Sequence, residues 1–408
     1  MIPSLLLAGL LSADPSPATT PSQPKPQGAP STAPAPDDDR ARLEREIANE
    51  LGGSATPQPA HPELAPSTAG STASPTSQTG GNPLARLLML PDISAIGDFA
   101  LAFDSADTAR LSPRGASDPS SPAHRLTPIF QELELGLQSV VDPYAQADVF
   151  LSFDTSGASV EEAYVTTLSL PAGLQVRAGT FHSPFGRLNQ QHPHVWDFID
   201  TPLAQARLLA SDQLAGPGVD ASWLLPVSWF AELHVAGQST RPAFEETAHR
   251  TALARLSQFF DLSDATTLGV GLSAAALEEW GDLGGLDLFL KIRPPASRGY
   301  VALQGELFGE RRLGQAWDQG RAGGYAQAVW RTSPFWETGV RYERAPAEPS
   351  TGMTGTEQRA SLLAGWLPSE FQRLRLQLSY DRLPDGRDAF ESILHAEFII
   401  GAHGAHPF

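Results

Sequence analysis

The densest set of chemically capable side chains lies between His182 and Ala215. His182, Arg187, His192, His194, Asp197, Asp200 and Arg207 fall in a stretch without strand period, punctuated by Pro184, Pro193 and Pro202. Imidazole and carboxylate together suit a first-row divalent metal. The spacing His192-x-His194, with His182, Asp197 and Asp200 nearby, matches no specific metal motif. A polar loop whose histidines and aspartates bond to backbone or water accounts for it more simply, so no metal and no cofactor are expected. His182-Ser183 are adjacent, but nucleophilic catalysis needs a serine beside a base that a third group orients. Nothing selects such a triad. Glu132 and Glu134 stand two apart, which could serve acid–base work. On a strand the same spacing puts both on one face, where they line water. No catalytic residue and no enzymatic activity are expected.

The elements that must position these residues have a period of two. Ile93, Ala95, Phe99, Leu101 and Phe103 share one face from Pro91 onward, and Ser94, Asp98 and Asp104 the other. Leu286, Leu288, Leu290 and Ile292 oppose Asp287 and Lys291, and Leu374, Leu376, Leu378 and Tyr380 oppose Arg373, Arg375, Gln377 and Asp381. About sixteen such segments follow one another, each near the roughly 9–11 residues that a tilted strand needs to cross a bilayer. Alternation alone also fits a soluble sandwich, because both architectures put apolar residues on one face. The connections decide. Links after even-numbered segments are short, as at Val141-Asp142-Pro143 and Leu225-Pro226-Val227-Ser228. Links after odd-numbered segments are mostly longer, as at Ser105–Arg125, His182–Ala215 and Ser239–Arg250. One-sided turns and loops of this kind belong to membrane barrels. Tyr144, Phe153, Phe181, Trp229, Phe335, Trp336, Trp366 and Phe371 sit near segment ends and suit interfacial girdles. The chain ends on Phe408, after an alternating segment. The fold expected is all-β, a transmembrane antiparallel β-barrel of about 16 strands over residues 82–408, with both termini on the periplasmic side.

The same parity assigns a polar inner face. Asp98, Glu132, Glu134, Asp148, Glu162, Asp287 and Glu306 stand there among the acids, and Arg341, Arg373 and Arg375 among the bases. Acids outnumber bases over the whole face, and a charged wall in a narrow pore concentrates counter-ions.

Composition excludes several classes. The 408 residues include no Cys, which removes disulfide frameworks and thiolate metal sites. A net charge of -18, with Lys only at Lys25 and Lys291, argues against a nucleic-acid partner. Residues 1–13, apolar from Ile2 to Ala13, read as a signal peptide. Residues 14–80 are dominated by Pro, Ser, Thr, Ala and Gly and read as a disordered linker. Within it Asp37–Gly52 places Leu43, Ile47 and Leu51 on one helical face, enough for a transient helix over 37–52.

The stretches NPLARLLMLPDISAIGDF (82–99), VDPYAQADVFLSF (141–153), VEEAYVTTLSLPAGLQVRAGTFHSPFGRLNQQHPH (160–194), GPGVDASWLLP (216–226) and GAHGAHPF (401–408) resemble a family of porin-like outer-membrane proteins of Gram-negative bacteria. Its members are often labelled zinc-regulated TonB-dependent outer-membrane receptors. The resemblance implies a barrel in the bacterial outer membrane, with membrane lipid and small hydrophilic solutes as its partners and a homotrimer, by analogy, as its assembly. A TonB-dependent receptor holds a globular plug within about 22 strands. Here strand-like sequence takes nearly everything after Pro91, so passive diffusion with a preference for cations is the expected function. A substrate-specific uptake receptor, for example for a metal chelate, is the alternative. A barrel of this size is too wide for strand side chains to fill. The link 182–215 is accordingly expected to fold inward and constrict the lumen, with His182, Arg187, His192, His194, Asp197, Asp200 and Arg207 facing the pore.

Overall fold

The computed structural model describes residues 91–106, 126–210, 212–349, 352 and 354–401. The expected signal peptide (1–13), linker (14–80) and helix (37–52), most of the link Ser105–Arg125, and Phe408 lie outside the described residues.

Sixteen strands run in chain order: β1 Asp92–Asp104, β2 Thr127–Asp142, β3 Ala145–Asp154, β4 Gly157–Thr167, β5 Leu174–His182, β6 Ala215–Leu224, β7 Phe230–Thr240 and β8 His249–Ser263. The series continues with β9 Thr266–Leu277, β10 Gly281–Ile292, β11 Tyr300–Arg312, β12 Arg321–Ser333, β13 Trp336–Pro346, β14 Thr356–Ser369, β15 Gln372–Arg382 and β16 Asp388–Gly401. Each pairs antiparallel with its sequence neighbours, and β1 pairs with β16 to close a barrel. The register of closure sets Asp98 opposite Glu397 and Ala100 opposite His395. Closure leaves no edge with unpaired backbone groups, which a bilayer would not tolerate.

Alternation explains which face each residue takes. Along β14, Glu357, Arg359, Ser361 and Leu363 are buried, while Gln358, Ala360, Leu362 and Ala364 are exposed. Along β13, Glu337, Arg341 and Glu343 are buried, and Val340 and Tyr342 are exposed. The outward positions form an apolar belt that includes Val235, Leu272, Leu288, Leu307 and Leu394. An apolar surface this extensive is a liability in water and a requirement in lipid. Tyr144, Trp229, Phe335, Trp336, Trp366 and Phe371 are exposed beside the turns that follow even-numbered strands, so they form a girdle at one rim. Phe181 does not belong to it. Its ring is 0% exposed. It shares the inward parity of Arg177, whose guanidinium lies 4.2 Å from its centroid. An aromatic near a strand end is a girdle residue only when its parity points outward.

All links after even-numbered strands are short, the tightest being Pro143-Tyr144, Asp264-Ala265, Pro334-Phe335 and Glu370-Phe371. Links after odd-numbered strands include every long one, although three are short. The turn from β3 to β4 is one of these: Asp154 Oδ1 accepts from the Ser156 and Gly157 amides at 2.6 and 3.0 Å.

The largest buried apolar cluster is not made by the wall alone. Phe185, Leu188, Trp196, Leu203, Leu208, Leu209 and Leu214, from the link between β5 and β6, pack with Leu253, Leu277, Leu283, Phe308 and Tyr325.

Candidate functional site: the segment between β5 and β6

Ser183–Leu214 leaves β5 at His182 and returns at Ala215 through two 3₁₀ turns, Leu188–Gln190 and Pro193–Val195, and a short helix α1, Leu203–Leu208. Pro193 opens the second turn, where a fixed φ is already correct and no amide is lost. Pro202 immediately precedes α1. Asn189 ties the ends together. Its Nδ2 donates to the Ser183 and Leu214 carbonyls at 2.9 and 3.0 Å, and its Oδ1 accepts from the Leu214 amide at 2.7 Å.

Buried side chains from several strands also bond to the segment's backbone. Ser273 of β9 accepts from the Gly186 amide at 3.0 Å, and Glu306 of β11 accepts from Arg187 and Leu188 at 2.9 and 2.8 Å. Gln377 of β15 accepts from Ile199 at 2.9 Å, and Glu343 of β13 from Leu203 at 2.6 Å. Arg373 and Arg375 donate to the Trp196 carbonyl at 3.0 and 2.7 Å.

The charged residues of the segment sort into two groups. In the first, Asp200 is held by Arg341, by Arg359 Nη1 at 2.7 Å and by Gln377 Nε2 at 2.7 Å. Burial raises its pKa, but the two guanidiniums outweigh burial and leave it below the ordinary aspartate value. Arg207 pairs with Glu357 at 2.8 Å and donates to the Pro346 carbonyl at 3.1 Å. Asp197 accepts from Gln327 at 3.2 Å, and burial pushes its pKa upward despite nearby Arg373. Arg187 lies 4.0 Å from the Phe289 ring centroid, and burial lowers its pKa.

The second group is histidine against glutamate. His192 Nδ1 lies 3.0 Å from Glu134 Oε2 of β2, and its Nε2 lies 2.9 Å from Glu162 Oε2 of β4. His194 Nδ1 is 3.3 Å from the same Glu134 oxygen. His182 stands 3.7 Å from Glu161, and its amide donates to Glu162 at 2.7 Å. Burial pulls the His192 pKa down, but hydrogen bonds to Glu134, Glu161 and Glu162 more than offset this and raise it well above the ordinary value.

The remaining wall residues are buried and partnered. Asp98 is 3.5 Å from His395, Glu132 accepts from Ser152 at 2.9 Å, and Asp148 accepts from Gln138 and Gln146 at 3.0 and 2.9 Å. Asp287 pairs with Arg255 at 2.6 Å, Arg341 with Glu343 at 2.7 Å, Arg373 with Glu337 at 2.8 Å and Arg375 with Glu397 at 3.2 Å. Glu306 also accepts from the Tyr325 hydroxyl at 2.7 Å.

Among the participants that escaped sequence reasoning, three are instructive. Asn189 carries no recognisable signal. Glu357 pairs with Arg207 and follows from the parity of β14. Glu161 sits in a register shift: Phe150 pairs with Glu162 and Leu151 with Val160, so Glu161 has no partner on β3. The bulge lets consecutive glutamates approach one cluster. The acidic pair in Val160-Glu161-Glu162-Ala163 breaks the period of two and was the available signal.

No family model matches the chain. Over the aligned part the wall is similar to solved outer-membrane proteins. The DcaP channel of Acinetobacter baumannii gives a TM-score of 0.53 at 11% identity, over 76% of this chain and 97% of that one. OprB of Pseudomonas putida gives 0.54 at 9% identity, over 78% and 96%. An anion-selective porin of Comamonas acidovorans gives 0.50 at 10%, over 76% and 99%. Identities this low speak for the fold, and the TonB-dependent label finds no support in a barrel of sixteen strands. An uncharacterized protein of Aquifex aeolicus (strain VF5) is 30% identical over 389 residues, which is 80% of this chain and 82% of the relative. The chain belongs to the same family as that Aquifex aeolicus protein, and its fold is that of the outer-membrane porins.

Proposed function

We propose that the protein is a bacterial outer-membrane channel for passive diffusion of small hydrophilic solutes, with Ser183–Leu214 lying across the lumen and narrowing it. One observation carries this reading: a single segment is hydrogen-bonded by buried side chains of β9, β11, β13 and β15 and meets β2 and β4 through its histidines. A segment that reaches both arcs of a closed barrel leaves only narrow paths beside it. A cavity of about 520 Å³ lies against Glu162, Arg187 and His192. Selectivity for cations follows from the distribution of charge. Asp98, Glu132, Glu134, Asp148, Glu161 and Glu162 line the β1–β4 arc, whereas the paired arginines Arg341, Arg359, Arg373 and Arg375 stand on β13–β15. A permeating ion on the first arc meets Glu134, Asp148, Glu161 and Glu162, whose described partners are amides and imidazoles.

The test is the reversal potential of purified protein in planar bilayers under a potassium chloride gradient. A potential of the sign set by potassium is expected. Anion selectivity, as named for the Comamonas porin, would refute the charge reading. Full burial of Trp196, Phe198 and Leu208 favours a second reading, a substrate-specific uptake channel. It requires low basal conductance that one solute class blocks in saturable fashion. A homotrimer is the assembly proposed, and native mass spectrometry in detergent would count the subunits.

A further inference from the structure

Glu134, His192 and His194 put three ligand-type atoms of a kind suited to one metal ion within reach of each other. Glu134 Oε2 is 3.0 Å from His192 Nδ1 and 3.3 Å from His194 Nδ1, and Glu161 Oε1 is 3.5 Å from His192 Nδ1. Ligand atoms about 2.0–2.1 Å from a tetrahedral zinc ion lie about 3.3 Å apart, so the two separations from Glu134 Oε2 match the edges of such a polyhedron. All three primary side chains are almost fully buried.

Two independent features point to a cation. Glu162 Oε2 lies 2.9 Å from His192 Nε2. An ionised carboxylate only accepts, so Nε2 donates to Glu162, and the ring turns Nδ1 toward Glu134, where a bound ion would take the place of any Nδ1 proton. A carboxylate on the far nitrogen is the usual support of a metal-binding imidazole. The second feature is charge. Among the described residues no Lys or Arg forms an ion pair with Glu134, Glu161 or Glu162, whose charged neighbours are the imidazoles of His182, His192 and His194. The related trio Asp98, His395 and Glu397 differs on this point, since Arg375 pairs with Glu397 at 3.2 Å and lies 3.2 Å from His395 Nδ1. A cation is already built in there.

We propose that Glu134, His192 and His194, with Glu162 orienting His192, form a site for a divalent transition-metal ion of the zinc type. Two nitrogen ligands select against Mg²⁺ and Ca²⁺, which take oxygen. The cavity beside Glu162, His182 and His192 supplies the route of entry. A bound ion joins the segment between β5 and β6 to β2. The site does not depend on the channel reading, because binding is measured without conductance.

The test uses the full chain, extracted in detergent and stripped with a chelator. Titration with zinc chloride is expected to show one saturable equivalent with micromolar or tighter affinity, and magnesium chloride no such binding. Glu134→Gln and His194→Gln should each weaken zinc binding at least about 100-fold, and Glu162→Gln about 10–100-fold, the cost of losing an orienting carboxylate. Heat-modifiable migration on gels reports whether each variant assembles. X-ray absorption of the zinc-loaded wild type should show two imidazoles on the metal. Absence of saturable binding in the wild type, a metal shell without imidazole, or undiminished binding in an assembled Glu134→Gln or His194→Gln variant would each overturn the proposal. The last would mean that the cluster is a carboxylate–imidazole network and zinc sits elsewhere.

Discussion

Asp200 is the point where the segment meets most charge, so Asp200→Ala is the sharpest perturbation of its docking. The carboxylate takes hydrogen bonds from Arg341, Arg359 and Gln377, and its surroundings are about 1% exposed. Removing one partner of a buried ion pair costs about 3–5 kcal/mol, because the other charge stays behind. Here the guanidiniums are not stranded. Arg341 keeps Glu343 at 2.7 Å and Arg359 keeps Asp381 at 2.6 Å. The lower end therefore applies, about 3 kcal/mol. At about 1.4 kcal/mol per tenfold, the docked state of the surrounding turn loses about two orders of magnitude against the released state. The wall is spared, since the ladders of β13–β15 need nothing from Asp200. Single-channel recording in planar bilayers is the assay. The variant should assemble as a heat-modifiable barrel yet show larger open-channel noise and higher mean conductance, and Asp200→Asn should fall between it and the wild type. An assembled Asp200→Ala channel with wild-type noise and conductance would refute the reasoning, because the ion cluster would then not hold the segment.

Three further outcomes follow from the same contacts. The Asp200 pKa lies below the ordinary value of about 3.9. Its contribution is therefore complete above that value and is lost as pH falls through the lower folded pKa, so the excess noise of Asp200→Ala over the wild type should stay constant from pH 7 to about 4 and shrink only below. Deleting Gln190–Ala206 removes the anchors at Trp196, Ile199, Asp200 and Leu203, and conductance should rise substantially in a barrel that still assembles. Unchanged conductance in that variant would place the constriction elsewhere. Gly186→Ala should loosen the segment by more than 1 kcal/mol, read as increased proteolysis of the folded barrel. Its φ of 65° disfavours a side chain, and a Cβ would strike Glu306 Oε2, which accepts from the Arg187 amide while Oε1 accepts from that of Leu188.

The barrel was legible because one physical constraint repeats along every strand. Leu374 to Asp381 must send apolar groups to lipid and polar groups inward, and a period of two is the direct record of that demand. Links were legible for the same reason, since short turns gather at one rim. What misled was local. Phe181 stands near a strand end among aromatics that do form the girdle, yet its parity is that of Arg177. The short turn after Asp154 owes its size to one carboxylate capping two amides rather than to the side of the barrel on which it lies.

The site resists reading from sequence because its chemistry is assembled by register. His192 and His194 are two residues apart, but their partners Glu134 and Glu162 lie about sixty and thirty residues upstream, on strands whose alignment is set by the bulge at Glu161. A tally of inward acids over bases gives the sign of the total charge and misses its distribution. Arg255, Arg341, Arg359, Arg373 and Arg375 each stand against a carboxylate, so much of the acidic excess on β10–β16 cancels locally. The arc from β1 to β4 differs, since the described partners of Glu134, Asp148, Glu161 and Glu162 are amides and imidazoles. If the lumen prefers cations, that arc is the reason, and charge neutralisation confined to it should change selectivity more than the same number of substitutions among the arginine-paired acids of β13–β15.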